Sequence, residues 1–178
     1  MKLLKASILS KDLNGISFVN KILEFDNEKV CFQIWDNTFS KQSSYYSSCY
    51  MRGCISCIII CDISKKTCEG RTLTVDNLSS WLKLLDDEEI EMESCVVIAN
   101  KMDLVKDAKL LEERSEKLRQ ISEYFDIEKF FVCSLKNDSP EKTRKMFYEI
   151  CESLWKNKLC DPRYMEEFKV IIYFFYNF

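Results

Sequence analysis

The chain contains no histidine and only three glycines, Gly15, Gly53 and Gly70, among 178 residues. Without histidine it lacks the most common general base and the usual partner that activates a serine or cysteine nucleophile, so Ser-His and Cys-His chemistry are excluded. No run of about 20 apolar residues occurs, so no segment reads as a membrane-spanning helix. The opening residues, Met1 to Leu13, lack the unbroken apolar centre of a secretory signal, and the expectation is a cytoplasmic protein, peripheral to membranes only through a partner. A formal net charge of -3 supplies no basic footprint, and no nucleic-acid partner is expected.

The apolar fraction, 47%, is enough for the core of one domain at this length. Ten cysteines are present. Cys31, Cys57, Cys61, Cys95, Cys133 and Cys151 sit inside apolar runs, where a reduced thiol behaves as a small hydrophobe, so free thiols are expected. Cys54-Ile-Ser-Cys57 has the spacing of a zinc or redox motif. In a strand, residues three apart point to opposite faces, and no histidine is available to complete a mixed set. Core cysteines rather than a metal site are expected there.

Two runs near the start, Ile16 to Phe25 and Val30 to Trp35, read as a strand hairpin joined by Asp26-Asn-Glu-Lys29. Ile55 to Asp62, Cys95 to Ala99 and Phe130 to Cys133 are short, nearly continuous apolar runs, as expected of parallel strands covered on both faces. Between and after them lie three helical stripes. These are Val75, Leu78, Trp81, Leu82 and Leu85; then Leu111, Leu118, Ile121 and Phe125; then Phe147, Ile150, Cys151, Leu154 and Trp155, with Ser139-Pro140 as a helix start. The acidic stretch Asp86 to Glu93 reads as a solvated loop. Strands alternating with helices after a hairpin predict an open, mostly parallel α/β sheet with helices on both faces.

In such sheets ligands bind beyond the carboxyl ends of the strands. After the Cys95 to Ala99 run comes Asn100-Lys101-Met102-Asp103, and after Phe130 to Cys133 comes Ser134-Leu135-Lys136. Asn-Lys-x-Asp followed by Ser-x-Lys resembles the guanine-recognition elements of small GTPases. Val30-Cys-Phe-Gln-Ile-Trp-Asp36 resembles a Rab strand, Tyr50-Met-Arg-Gly53 a Rab Tyr-Tyr-Arg-Gly, and Asp62-Ile63-Ser64 a Rab Asp-Ile-Thr, in the right order from about Ile16 to Lys156. The chain is thus similar to the Ras/Rab-type small GTPases, with Rab the nearest branch. The resemblance implies a small GTPase-like fold (P-loop NTPase-type) and GTP or GDP with Mg2+ as the ligand, if any nucleotide is bound. It gives the Asp103 carboxylate the base's amino and imino donors, Asn100 a base contact and a loop tie, and Lys101 a packed stem over the ring. Ser134, Leu135 and Lys136 would contribute loop contacts, and Asp36 would be a weak, water-mediated magnesium ligand.

Departures from the pattern set the expected activity. None of the three glycines starts a G-x-x-x-x-G-K-S/T loop, so the first strand and P-loop are expected to be missing, with Met1 to Leu13 aligning with the helix that follows that loop. The family's Asp-Thr-Ala-Gly-Gln reads Asp36-Asn37-Thr38-Phe39-Ser40, which replaces a glycine that meets the γ-phosphate and the glutamine that orients water. The switch threonine falls near Leu13. No catalytic residue is identified and hydrolysis is not expected. A pseudo-GTPase or weak guanine-nucleotide binder follows, acting in vesicle traffic or signalling through effector or regulatory proteins that meet residues 16–53, Tyr45, Tyr46 and Tyr50 among them. The alternative is a working GTP-hydrolysing Rab-type switch whose P-loop is missing from this sequence. Residues 1–158 are expected to form the single, truncated domain, and 159–178 a tail with an aromatic end, read as a strand or plug docking on the sheet. No prenylation motif of the CaaX kind is present in the sequence.

Overall fold

A computed structural model describes residues 7–11, 16–37, 54–65, 73–159 and 168–174. Among the described residues seven strands form one sheet. They are β1 (Ser7–Lys11), β2 (Ile16–Phe25), β3 (Glu28–Asn37), β4 (Cys54–Asp62), β5 (Val96–Asn100), β6 (Lys129–Val132) and β7 (Phe168–Phe174), in the order β1-β2-β3-β7-β4-β5-β6. The β1-β2 and β2-β3 pairs are antiparallel, and every pair from β3 to β6 is parallel. Among the described residues three helices lie between the parallel strands: α1 (Leu73–Asp87), α2 (Ala108–Tyr124) and α3 (Pro140–Leu154). This is the open α/β architecture with helices on both faces that the sequence predicts.

Local chemistry accounts for most of these elements. In β2, Leu23 and Phe25 are buried while Ile22 and Glu24 are exposed, the alternation of a strand with one face on the core. The β2-β3 turn consists of Asp26 and Asn27 alone, both at positive φ (50° and 67°), a conformation Asp and Asn tolerate and one that matches the twist of a two-residue hairpin. The connection is therefore shorter than the expected four residues. Strand β4 from Ser56 onward and β5 through Ala99 are buried throughout, since helices cover both faces. Helix α2 begins where the Asp107 carboxylate accepts from the amides of Lys109 and Leu110, and α3 where Ser139 accepts from the Lys142 amide ahead of Pro140.

The sheet has a core on each face. On one, Leu23, Phe25, Phe32, Ile58, Ile60, Val96 and Ile98 meet Met146, Ile150 and Leu154 of α3 and Trp155 just beyond it. There the Phe25 ring stacks on Trp155 at 14°, with centroids 6.2 Å apart. On the other, Ile59, Cys61, Val97 and Ala99 meet Leu78, Leu82 and Leu85 of α1 and Leu118 of α2. Burying each such aliphatic side chain contributes roughly 1.5–3 kcal/mol.

Two features depart from the sequence reading. Residues 7–11 form a strand against β2, not part of a helix; Asn14-Gly15 just after them is a hairpin signal, and Ser7 and Ser10 are poor helix formers. The residues read as a tail supply a strand, as one reading of them expects: β7 lies in the sheet interior, parallel to β3 through six register pairs (Phe32↔Phe168 to Asn37↔Tyr173) and to β4 through six more. The second departure is at the paired cysteines. Cys54 and Cys57 do not diverge: their Sγ atoms are 3.7 Å apart. The register of β4 against β7 shifts between Cys54 and Ser56, and such an irregularity re-aims a side chain that strict alternation would send to the opposite face. Cys57 is fully buried, and burial, with hydrogen bonds to Cys54 and Cys95, drives its pKa well above the usual thiol range. Among the described residues no group of three or more His, Cys, Asp or Glu side chains is placed to hold a metal ion, and no helix is long and apolar enough to cross a membrane.

Candidate nucleotide-base site

The carboxyl ends of β4, β5 and β6 lie side by side because the three strands are parallel neighbours. Backbone bonds tie the segments that leave them. The Ile63 amide donates to the Asn100 carbonyl (3.1 Å), the Cys133 amide to the Ala99 carbonyl (2.9 Å) and the Met102 amide to the Cys133 carbonyl (3.2 Å). Lys101 takes a left-handed conformation (φ 67°, ψ 34°), which turns the chain sharply out of β5 into a tight turn at Met102–Leu104 and brings Asp103 up beside the loop after β6.

Of the site residues the sequence singles out, Asn100, Lys101, Asp103, Ser134 and Leu135 come together at this edge. Asn100 Oδ1 accepts from the Leu135 amide (2.9 Å), joining the two loops, and the Leu135 side chain packs into the α3-side core. Asp103 is exposed, and its two carboxylate oxygens take different partners. Ser134 Oγ donates to Oδ1 (2.5 Å) and Asn137 Nδ2 donates to Oδ2 (3.0 Å). Ser134 itself is buried, 3% exposed, so its hydroxyl offers a fixed donor from beneath. Lys136 is exposed. Asp36 stands near the end of β3, separated from β4 by β7; its side chain and residues 38–53, Phe39, Ser40 and the three tyrosines included, lie outside the described residues.

Lys101 makes a contact that the motif alone does not announce. Its Nζ lies 2.5 Å from Oδ2 of Asp62, the last residue of β4, while the Ser64 amide (3.0 Å) and hydroxyl (2.6 Å) donate to Oδ1. Asp62 is only 6% exposed. Burial pushes its pKa up, but the bonds from Lys101 and Ser64 and the nearby ammonium charge outweigh burial and hold it below the usual carboxylate value. The ammonium is thereby fixed at the root of the site, and the lysine stem is steered by a charge on the neighbouring strand.

The sequence reading also passes over the residues that shape the second loop. Asp138 Oδ2 accepts from the Ser134 amide (3.0 Å) and Oδ1 from Lys142 Nζ (2.9 Å). The Lys142 bond, then the Ser134 amide, lower the Asp138 pKa. Asn137 donates its own amide to the Ser134 carbonyl (3.0 Å) and hydroxyl (3.2 Å). Asn137-Asp138-Ser139-Pro140 reads locally as turn and helix-cap chemistry, which it is; nothing in that pattern marks Asn137 as reaching Asp103. An exposed carboxylate at a strand edge is an acceptor for paired N–H donors, and here both its oxygens already accept from the chain's own side chains.

The Ras family model matches residues 10–156. Ras-related protein Rab-12 of Homo sapiens is 29% identical over 110 residues, which cover 62% of this chain and 43% of that protein. GTP-binding protein ypt3 of Schizosaccharomyces pombe is 30% identical over 99 residues, 56% of this chain and 44% of that one. Ras-related protein RABA2a of Arabidopsis thaliana is 32% identical over 95 residues, covering 53% and 41%. The matched part spans less than half the length of these curated relatives.

Proposed function

Because this chain belongs to the Ras family, as a Rab-like small GTPase relative, we propose that it is a weak guanine-nucleotide binder that does not turn over GTP and works through protein contacts. The observation that carries the reading is the Asp103 carboxylate, presented at the carboxyl edge of β5 and β6 beside the buried Ser134 hydroxyl and the Asn100–Leu135 tie. Those residues suit a guanine base. Lys101, anchored by Asp62, would border the ring, and Lys136 extends the same loop. The phosphates would bring Mg2+, which supplies charge neutralisation when bound, and Asp36 is the residue proposed to face it through water.

The absence of turnover rests on the sequence of the segment after β3. Phe39 stands where family members carry the glycine that meets the γ-phosphate, and Ser40 where they carry the glutamine that orients water. A bulky side chain does not take a glycine-only conformation, and a serine is too short for the glutamine's role.

The proposed partner surface is the β2-β3 hairpin with residues 38–53. The hairpin forms one wall of a groove of about 870 Å³ in which Leu23 and Ile34 face Phe147 and Tyr148 of α3, with Lys21, Glu24 and Arg144 on its rim. Apolar walls with a charged rim fit a protein effector or regulator, in vesicle traffic or signalling. A cytoplasmic protein brought to membranes by that partner is the corresponding location.

Calorimetry with GDP and GTP in magnesium, alongside phosphate release, tests the proposal. Weak guanine-nucleotide binding that Asp103→Ala removes, with no phosphate release above buffer, is the expected result. Sustained phosphate release by the purified chain would overturn it.

A further inference from the structure

Asp103 is the acceptor on which guanine recognition is proposed to rest, yet one of its oxygens is already engaged by the chain's own amide. Asn137 Nδ2 lies 3.0 Å from Oδ2, while Ser134 Oγ holds Oδ1. A primary amide nitrogen and the exocyclic amino nitrogen of guanine are both neutral, planar N–H donors. We propose that Asn137 is a built-in competitor for the donor edge of guanine: its amide occupies the Asp103 acceptor that the base amino group takes, and it must swing away before guanine binds. The inference rests on the base-site reading above and adds the residue that sets its affinity.

The surroundings make this more than a chance surface contact. The loop that carries Asn137 is fixed at several points: the Asn137 amide on the Ser134 carbonyl and hydroxyl, the Ser134 amide on Asp138, the Leu135 amide on Asn100, and Asp138 on Lys142. Ser139 then caps α3, so the loop is held at its far end as well. A short side chain on a fixed backbone loses little conformational freedom in reaching its acceptor. Asn137 and Asp103 are both exposed, so the amide leaves without any unfolding of the loop.

The donor type also suits a competitor and not a permanent block. A lysine at this position would neutralise Asp103 and pair with it as an ion; an amide leaves the carboxylate charge in place and forms a single hydrogen bond to it. The bond competes with donors on Asp103 only. Adenine presents no paired donors to a carboxylate, so release of Asn137 raises guanine affinity and leaves adenine unaffected. The competitor thus lowers affinity and, by penalising only the guanine mode, compresses the base preference.

Asn137→Ala tests this. The variant keeps the backbone bonds of residue 137 and removes only the amide. Guanosine, GDP and adenosine are titrated into the native chain, Asn137→Ala, Asp103→Ala and the double variant by calorimetry. Guanosine is included because it reads the base site without the phosphates. The expected result is about a tenfold gain for guanosine and GDP in Asn137→Ala, the size of one hydrogen bond to a charged group that no longer has to be broken, with no gain for adenosine and no gain in the double variant. In ¹⁵N-labelled native protein, the Asn137 side-chain amide signals should also move as guanosine is added. Equal guanosine affinity in native and Asn137→Ala protein, with weaker binding in Asp103→Ala, overturns the competitor and leaves the base site standing. No guanosine or GDP binding by any form overturns both.

Discussion

Strand β7 is joined to both β3 and β4, which have no pairing with each other in the sheet order, so its backbone holds the two halves of the sheet together. Ile171 sits at its centre, opposite Trp35 on one side and Cys57 on the other. Ile171→Pro removes an N–H donor from an interior strand, where no solvent can replace it. The lost bond is worth about 0.5–1.5 kcal/mol, and the stranded carbonyl on the neighbour costs a further ~1–3 kcal/mol. A loss near 3 kcal/mol lowers the melting temperature of a chain this size by roughly 6–12 °C, at about 2–4 °C per kcal/mol. The assay is a thermal melt by circular dichroism of native protein, Ile171→Pro and Ile171→Val, the last keeping the amide and nearly all the side chain. Ile171→Val is expected to melt close to native. Truncation after residue 167 is the stronger form of the same test and should abolish the cooperative transition, because β3 and β4 then both carry unpaired ladders. Ile171→Pro melting within about 2 °C of native, or a truncated protein with an unchanged cooperative melt, would refute the placement of β7.

Three other outcomes follow from the packing and the charges. Ile150→Ala and Leu82→Ala each remove a fully buried side chain from opposite faces of the sheet and should each cost about 2–5 kcal/mol in urea unfolding; because the two sites share no cluster, the double variant should lose the sum within ~0.5 kcal/mol. Asp62 has a depressed folded-state pKa, so its contribution is present above the unfolded carboxylate value of 3.8 and is lost as pH falls through the lower folded value. Asp62→Asn should therefore flatten the acid limb of the stability curve below about pH 4, and an acid limb identical to native would sink the assignment. Alkylation at pH 8 should label Cys31 first among the described cysteines, since Cys57 and Cys95 are fully buried and burial raises Cys61 and Cys151 to about 12; early labelling of Cys61 would contradict the core.

The elements that packing dictates were legible in the sequence. The Leu78, Leu82 and Leu85 stripe has helical spacing, and the Ile58 to Cys61 run has the short, unbroken apolar character of a strand covered on both faces; the structure has a helix and a strand there. At the β2-β3 turn the second strand starts two residues earlier than its apolar run, because Asp26 and Asn27 both accept positive φ and suffice as the connection. What escaped was long-range. No local pattern in Phe168 to Phe174 says which strands it joins, and the divergence expected of Cys54 and Cys57 assumed a regular register that β4 breaks. At the candidate site, Asn100, Asp103 and Ser134 stand out in the sequence through the resemblance of Asn-Lys-x-Asp and Ser-x-Lys to small-GTPase elements, and the structure brings them together. Asn137 does not, since a turn asparagine looks the same whether or not its amide reaches across to another loop.

The sheet order also has a consequence for how the protein is made. β7 follows every other described strand in sequence yet lies between β3 and β4, so its six pairings with each close loops that span most of the chain. During synthesis the hairpin half and the β4-β5-β6 half emerge first, each with an open parallel edge, and neither can be joined until residues 168–174 have left the ribosome. Such late, non-local closure is slow and leaves unpaired edges exposed in the meantime. Nascent chains stalled before residue 168 should therefore depend on chaperones that shield strand edges, a dependence that ends once β7 is released.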